Sequence, residues 1–106
     1  MDENGYPTDE ELEIIKNWEL NGASLAESLA AIMTHIRPMW RYSDCGYWRE
    51  EEGLYNIHTG GWSGNESLVG ALMGNQTFWI IFWKQSEVGG HYIFATSEAW
   101  HNRKES

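Results

Sequence analysis

The chain has 106 residues and a net charge of −9, with 16 acids against 7 bases. That length fits one small domain, residues 1–106, and the charge opposes direct binding of DNA or RNA, which depends on Lys and Arg neutralising phosphates. Cys45 is the sole cysteine, which excludes an internal disulfide, and no apolar run is long enough to span a bilayer as a helix.

Residues 1–7 are polar and read as a flexible tail. Thr8-x-x-Glu11 is a capping-box signal, with acids at Asp9, Glu10 and Glu11 suited to a first helical turn. Leu12, Ile15 and Trp18 follow at helical spacing, so a helix is expected over 9–19, ending at Asn21-Gly22. Ser24-x-x-Glu27 repeats the signal. Leu25, Leu29, Ile32 and Ile36 then form one apolar stripe, widened by Ala26, Ala30 and Met33. Pro38 disfavours a helical Arg37 and ends or kinks this helix, after which Met39–Tyr42 has room for one more turn.

Tyr47–Glu52 is expected as a short strand, Gly53 as a turn, and Leu54–His58 as its antiparallel neighbour with Tyr55 and Ile57 on one face. A third helix is expected over 65–73, stopped by Gly74-Asn75. Thr77–Lys84 alternates Phe78, Ile80 and Phe82 against Trp79, Ile81 and Trp83, which predicts a strand apolar on both faces and central in the sheet. A hairpin loop over 85–90, containing Gly89-Gly90, leads to a last strand over 91–96. The polar end, 98–106, reads as a second flexible tail. The predicted class is α+β, order α-α-β-β-α-β-β, with helices packed against an antiparallel sheet.

The stretch HTGGWSGNES (58–67) stands out. Gly60, Gly61 and Gly64 surround Trp62, and a helix follows behind Ser63-x-x-Glu66. A glycine turn entering a helix points free N–H groups beside the positive end of the helix dipole, an arrangement that suits an anion. Gly60, Gly61, Trp62, Ser63, Gly64, Asn65 and His91 are therefore candidate ligand-binding residues. A tight strand-to-helix turn closed by its own capping box accounts for the same pattern.

No P-loop, HExxH, CxxC pair or G-x-S-x-G elbow is present. His58 ends one strand and His91 begins another, so antiparallel pairing would bring both to one rim, with Glu66, Ser63 and Trp62 as neighbours. Such a trio of His58, His91 and Glu66 could do acid–base work in a small hydrolase, or the histidines could simply fill edge positions. Metal ligation by the two histidines with Glu66 or Asp44 is compatible with the sequence, but the spacing is not diagnostic, and neither a metal nor another cofactor is expected. Trp40, Tyr42, Tyr47 and Trp48 crowd around Cys45 as core or as an aromatic groove, and the thiol, near Arg41 and Arg49, lacks a partner histidine in sequence.

The charge is uneven: −8 falls in residues 1–52 and −1 in 53–106. An acidic face keeps a protein soluble and can attract a basic partner. Glu10, Glu11, Glu13, Trp48, Glu50 and Glu51 are the candidate partner-binding residues.

The combination of TGGWSGNES (59–67), a helix, a Phe-Trp…Trp segment (78–83) and GGHYIF (89–94) resembles a largely uncharacterised family of short bacterial and phage proteins. The resemblance spans roughly 47–96, with weaker echoes in EELEIIKNW and Trp40–Tyr42. It implies a mobile-element setting, in which small acidic proteins act by blocking a larger host protein, and transfers no activity. The leading expectation is thus a non-enzymatic binding protein that inhibits a host defence or nucleic-acid-processing protein, in the cytoplasm of the host cell and without contact to a membrane. The alternatives are a small-molecule binder that holds a nucleotide, phosphate or other anionic ligand at the Gly60–Asn65 turn, and the hydrolase. Apolar surface left over on so small a domain would also let two copies pair.

Overall fold

The computed structural model describes residues 1–103, which form five α-helices and a four-stranded antiparallel sheet. Thr8 opens α1 (Asp9–Lys16) through both halves of the capping box: its hydroxyl accepts from Glu11 N at 3.1 Å, and Glu11 Oε1 accepts from Thr8 N at 2.9 Å. The helix ends at Lys16, short of the expected Glu19, because Asn17 folds its amide back onto the carbonyl and carboxylate of Glu13. Ser24 opens α2 (Leu25–Ile36), accepting from Glu27 N at 3.1 Å. Leu29, Ile32, Met33 and Ile36 are its buried stripe, whereas Leu25 is 53% exposed. At Pro38 the chain tightens into a 3-10 turn, Arg37–Met39, where a first-turn proline loses no hydrogen bond.

Strands β1 (Trp48–Glu51) and β2 (Leu54–His58) form a hairpin, as do β3 (Trp83–Glu87) and β4 (His91–Phe94), and the hairpins join through β2 and β4 in the order β1-β2-β4-β3. Between them lie α3 (Ser63–Gly74) and α4 (Gln76–Phe82), and α5 (Ser97–His101) follows β4. The α+β class and the antiparallel sheet agree with the sequence. No described helix is long and apolar enough to cross a membrane.

One segment differs from expectation. Residues 77–84 are mostly helix, and the strand that follows, β3, is at the edge rather than the centre. The cause is Asn75. Its Oδ1 accepts from Phe78 N at 3.1 Å to start α4, while its Nδ2 donates to Ile15 O and Trp18 O, fastening the end of α1. Phe78 and Phe82, four apart, then share the buried side, and Ile80 is left 80% exposed. The residues expected as a hairpin loop, 85–90, are strand to Glu87 and turn only at Val88–Gly90. The final strand stops at Phe94, because Thr96 already caps α5, accepting from Ala99 N. The expected tail 98–106 therefore begins inside a helix, and residues 104–106 lie outside the described residues. The opening residues also have fixed contacts: Asp2 Oδ1 accepts from Asn4 N and Tyr6 N.

The two faces of the sheet differ. Trp48, Tyr55, Ile57 and Phe94 enter the core with Ile15, the α2 stripe, Leu68, Leu72, Phe78 and Phe82. The register places Arg49, Asn56, Ile93 and Gln85 in one row of the opposite face, with His58, His91 and Glu87 in the next. No residue of these two rows is buried. The helices thus cover one side and leave the other open.

Candidate functional site

Two regions contain the residues singled out from the sequence: the glycine turn and the open face beside it. In the turn, Gly60 and Gly61 take positive φ, +61° and +74°, as a left-handed bend requires. Thr59 anchors the bend: its N–H donates to Gly90 O at 3.0 Å, its carbonyl accepts from Trp62 N at 3.0 Å, and Gly90 lies so close that a Cβ there would stand 2.2 Å from Thr59 Oγ1. Asn65, fully buried, ties the turn to the segment after α2. Its Oδ1 accepts from Arg41 N at 2.9 Å, and its Nδ2 donates to Arg41 O and Thr59 O, each at 3.3 Å.

The capping box expected at Ser63-x-x-Glu66 does not form. Ser63 is already the first residue of α3, Trp62 is the N-cap, and no side chain caps the helix. Ser63 is exposed, as is Glu66. Aromatic rings cover much of the bend instead. Tyr47 packs against Gly60, where a Cβ would come within 2.0 Å of its ring, and the Trp62 indole lies against Gly64. Trp62 is not a free platform: Tyr6 stacks on it at 4.6 Å, and the Arg41 guanidinium lies 4.1 Å from its ring. Of Gly60, Gly61 and Gly64, only Gly61 has open space around it. Tyr6, Arg41 and Tyr47 were not anticipated here, since each is distant from the turn in sequence.

On the open face, His58 and His91 are cross-strand partners, and their rings stack at 4.1 Å and 8°. The expected convergence of the two histidines is therefore observed. Glu66 does not join them: no hydrogen bond or ion pair links it to either ring among the described residues. The nearby carboxylate is Glu87, whose Oε1 is 3.7 Å from His91 Nδ1, while His91 Nε2 lies 3.3 Å from Asn56 Oδ1. Strand alternation could have found Asn56, which shares a face with His58, and hairpin pairing could have found Glu87. Burial lowers the His58 pKa below its ordinary value. The charge of His91 lowers it further, Glu87 pulls the other way, and Arg49 adds a smaller lowering effect. No serine or cysteine is hydrogen bonded to either ring among the described residues. Among the same residues no group of three or more His, Cys, Asp or Glu side chains could hold a metal ion.

The acidic candidates divide. Glu10 and Glu13 are exposed on α1. Glu11 is occupied by the capping box and by the amino group of Met1 at 2.6 Å, which holds its carboxyl below the usual range. Glu50 and Glu51 are exposed on β1 but point to opposite sides, since Glu50 pairs with Tyr55 and Glu51 with Leu54. Trp48, expected at an interface, is 4% exposed and packs edge-on against Trp40 and Tyr55, so it belongs to the core. Cys45 is exposed. Compared with protein-family models, curated proteins and solved structures, the chain matches none.

Proposed function

We propose that the protein is a non-enzymatic binding module whose acidic surface engages a basic face of a larger protein. The observation that carries this reading is the state of its carboxylates. Among the described residues only Glu11 and Glu87 have a basic group within ion-pair distance, the Met1 amino group and the His91 ring. The remaining acids add to a field that steers basic partners and repels nucleic acid. The mobile-element setting implied by the sequence resemblance makes a host defence or nucleic-acid-processing protein the partner, held stoichiometrically and thereby blocked. Affinity capture from host lysate followed by mass spectrometry tests this. One stoichiometric partner is expected, its retention weakened by salt and by charge reversal at Glu10 and Glu13. Undiminished binding of the doubly reversed variant would remove α1 from the interface and leave Glu50 and Glu51 to be tested.

One observation favours a second reading, a small anion held at the start of α3. The Arg41 guanidinium stands over Trp62, the residue that opens a helix with no capping side chain. A cation on the ring of the N-cap residue, at a helix whose first N–H groups have no capping side chain, suits a phosphate. Inorganic phosphate should then raise the melting temperature of the protein and not of Arg41→Ala, since a ligand of the native state stabilises by mass action. Equal response of the two proteins would reject this site.

A further inference from the structure

Away from both regions, a recess of about 410 Å³ lies between α2, the β1–β2 turn and α5. Pockets of that size accommodate small ligands or a single side chain. Ala26 and Leu29 of α2 and Ala99 of α5 give it apolar walls. Glu52, from the turn, and Glu98, from the first turn of α5, are its charged members among the described residues, none of the lining residues being Lys, Arg or His. Arg103 lines a neighbouring hollow together with Glu51, Glu52, Leu54 and Asn56.

Tyr55 is the telling residue. It lines the recess and is only 6% exposed, yet its hydroxyl makes no hydrogen bond among the described residues. The ring is what burial encloses, whereas the oxygen keeps an opening to the outside. The one fully enclosed, unpartnered side-chain polar atom among the described residues is Trp48 Nε1. Tyr55, one of the lining residues, therefore carries a hydroxyl open to a partner from outside the chain. Burial and the charge of Glu50 raise its pKa, which keeps the oxygen neutral and able to accept a hydrogen bond.

We propose that this recess binds a primary alkylammonium group, its aliphatic stem against Ala26, Leu29 and Ala99 and its three N–H donors directed to Tyr55 Oη and the carboxylates of Glu52 and Glu98. The chemistry of the walls selects each part of the ligand. An apolar stem removes hydrocarbon from water, and an ammonium gives the hydroxyl a donor while answering two carboxylates that have no cation within ion-pair distance among the described residues. An anion is opposed by the same carboxylates, and a neutral alcohol leaves them unanswered. The site is separate from the basic-partner reading and stands if that reading fails.

The test is a titration of the ¹⁵N-labelled protein, at constant ionic strength and neutral pH, with n-butylammonium, n-butanol and butyrate. Butylammonium should give saturable amide shifts at Gly53, Ala99 and Leu29, butanol should bind about tenfold more weakly, and butyrate should not bind. Glu98→Gln and Tyr55→Phe should each weaken butylammonium several-fold while leaving the rest of the spectrum in place. A parallel titration with Nα-acetyl-lysine N-methylamide separates the two sources of the group. Tighter binding of the blocked lysine assigns the recess to a lysine side chain of a protein, and tighter binding of the free amine assigns it to a small aliphatic amine. No saturable shift with either cation, equal binding of butanol, or unchanged affinity in both variants would overturn the proposal.

Discussion

Asn65 shows how much of the glycine turn depends on a single side chain. It is fully buried, and its three hydrogen bonds satisfy the N–H and carbonyl of Arg41 and give the Thr59 carbonyl a second donor beside Trp62 N. An unsatisfied buried polar group costs about 1–3 kcal/mol, so Asn65→Ala should destabilise the fold by about 2–4 kcal/mol. Urea unfolding measures this as a lower midpoint at unchanged slope, and a loss below about 1 kcal/mol would mean that water replaces the amide. His58 makes a prediction of opposite kind, in pH. Its folded pKa lies below the ordinary 6.5 because burial, then the neighbouring His91 and to a lesser degree Arg49, disfavour the charged ring, with Glu87 opposing. The unfolded chain therefore takes up the proton first as pH falls, and stability declines from about pH 6.5 down to the folded pKa, below which this contribution is constant. In a proton NMR titration His58 should titrate below 6.5, and His91→Gln should move it upward by removing one of the lowering charges. An unshifted His58 in that variant would assign the effect to burial and Arg49.

At the level of elements, α4 separates two accounts of one sequence. In a strand Phe78, Ile80 and Phe82 would share a face, whereas in the helix Phe78 and Phe82 are buried and Ile80 faces solvent. Ile80→Lys should therefore change stability by no more than about 0.5 kcal/mol, and Phe82→Ala should cost about 3–5 kcal/mol. Comparable losses at both positions would restore the strand. The sequence did not distinguish these cases because a continuous apolar run satisfies both periods. The deciding signal was Asn75, legible as a stop for α3 but equally an N-cap for α4. Where a polar cap precedes a one-sided stripe, as at Thr8 and Ser24, the start of the helix could be read directly, although Leu25 and the early end of α1 could not. The site was legible to a similar degree. Strand ends brought His58 and His91 together, but Glu87 in place of Glu66, and the rings of Tyr6 and Tyr47 over the turn, depend on packing between distant segments. The two bend glycines make this packing measurable. Gly61→Ala meets only the left-handed backbone penalty of about 1–2 kcal/mol. Gly60→Ala meets the same penalty and a ring 2.0 Å away, and should be the more destabilised of the pair.

For the whole molecule the net charge of −9 sets two responses to salt that have opposite signs. With the described carboxylates mostly free of cations, the folded state gathers like charges that the unfolded chain spreads apart. Salt shortens the range of that repulsion to about 8 Å at physiological ionic strength. Raising NaCl from about 10 mM to about 150 mM should therefore stabilise the free protein by up to about 1 kcal/mol, a rise in Tm of roughly 5 °C or less for a domain of this size. Association with a basic partner draws on the same charges through attraction, so the same salt should weaken it, chiefly by slowing the encounter. Thermal melts and binding kinetics across one salt series thus provide a joint test. Rising Tm with falling association rate is the pattern of an uncompensated acidic surface that serves as an interface. A rising Tm with salt-independent association would retain the surface and exclude it from the contact. A Tm that falls with salt would mean that the acids are stabilised by attractions within the chain, and the argument for a basic partner would lose its foundation.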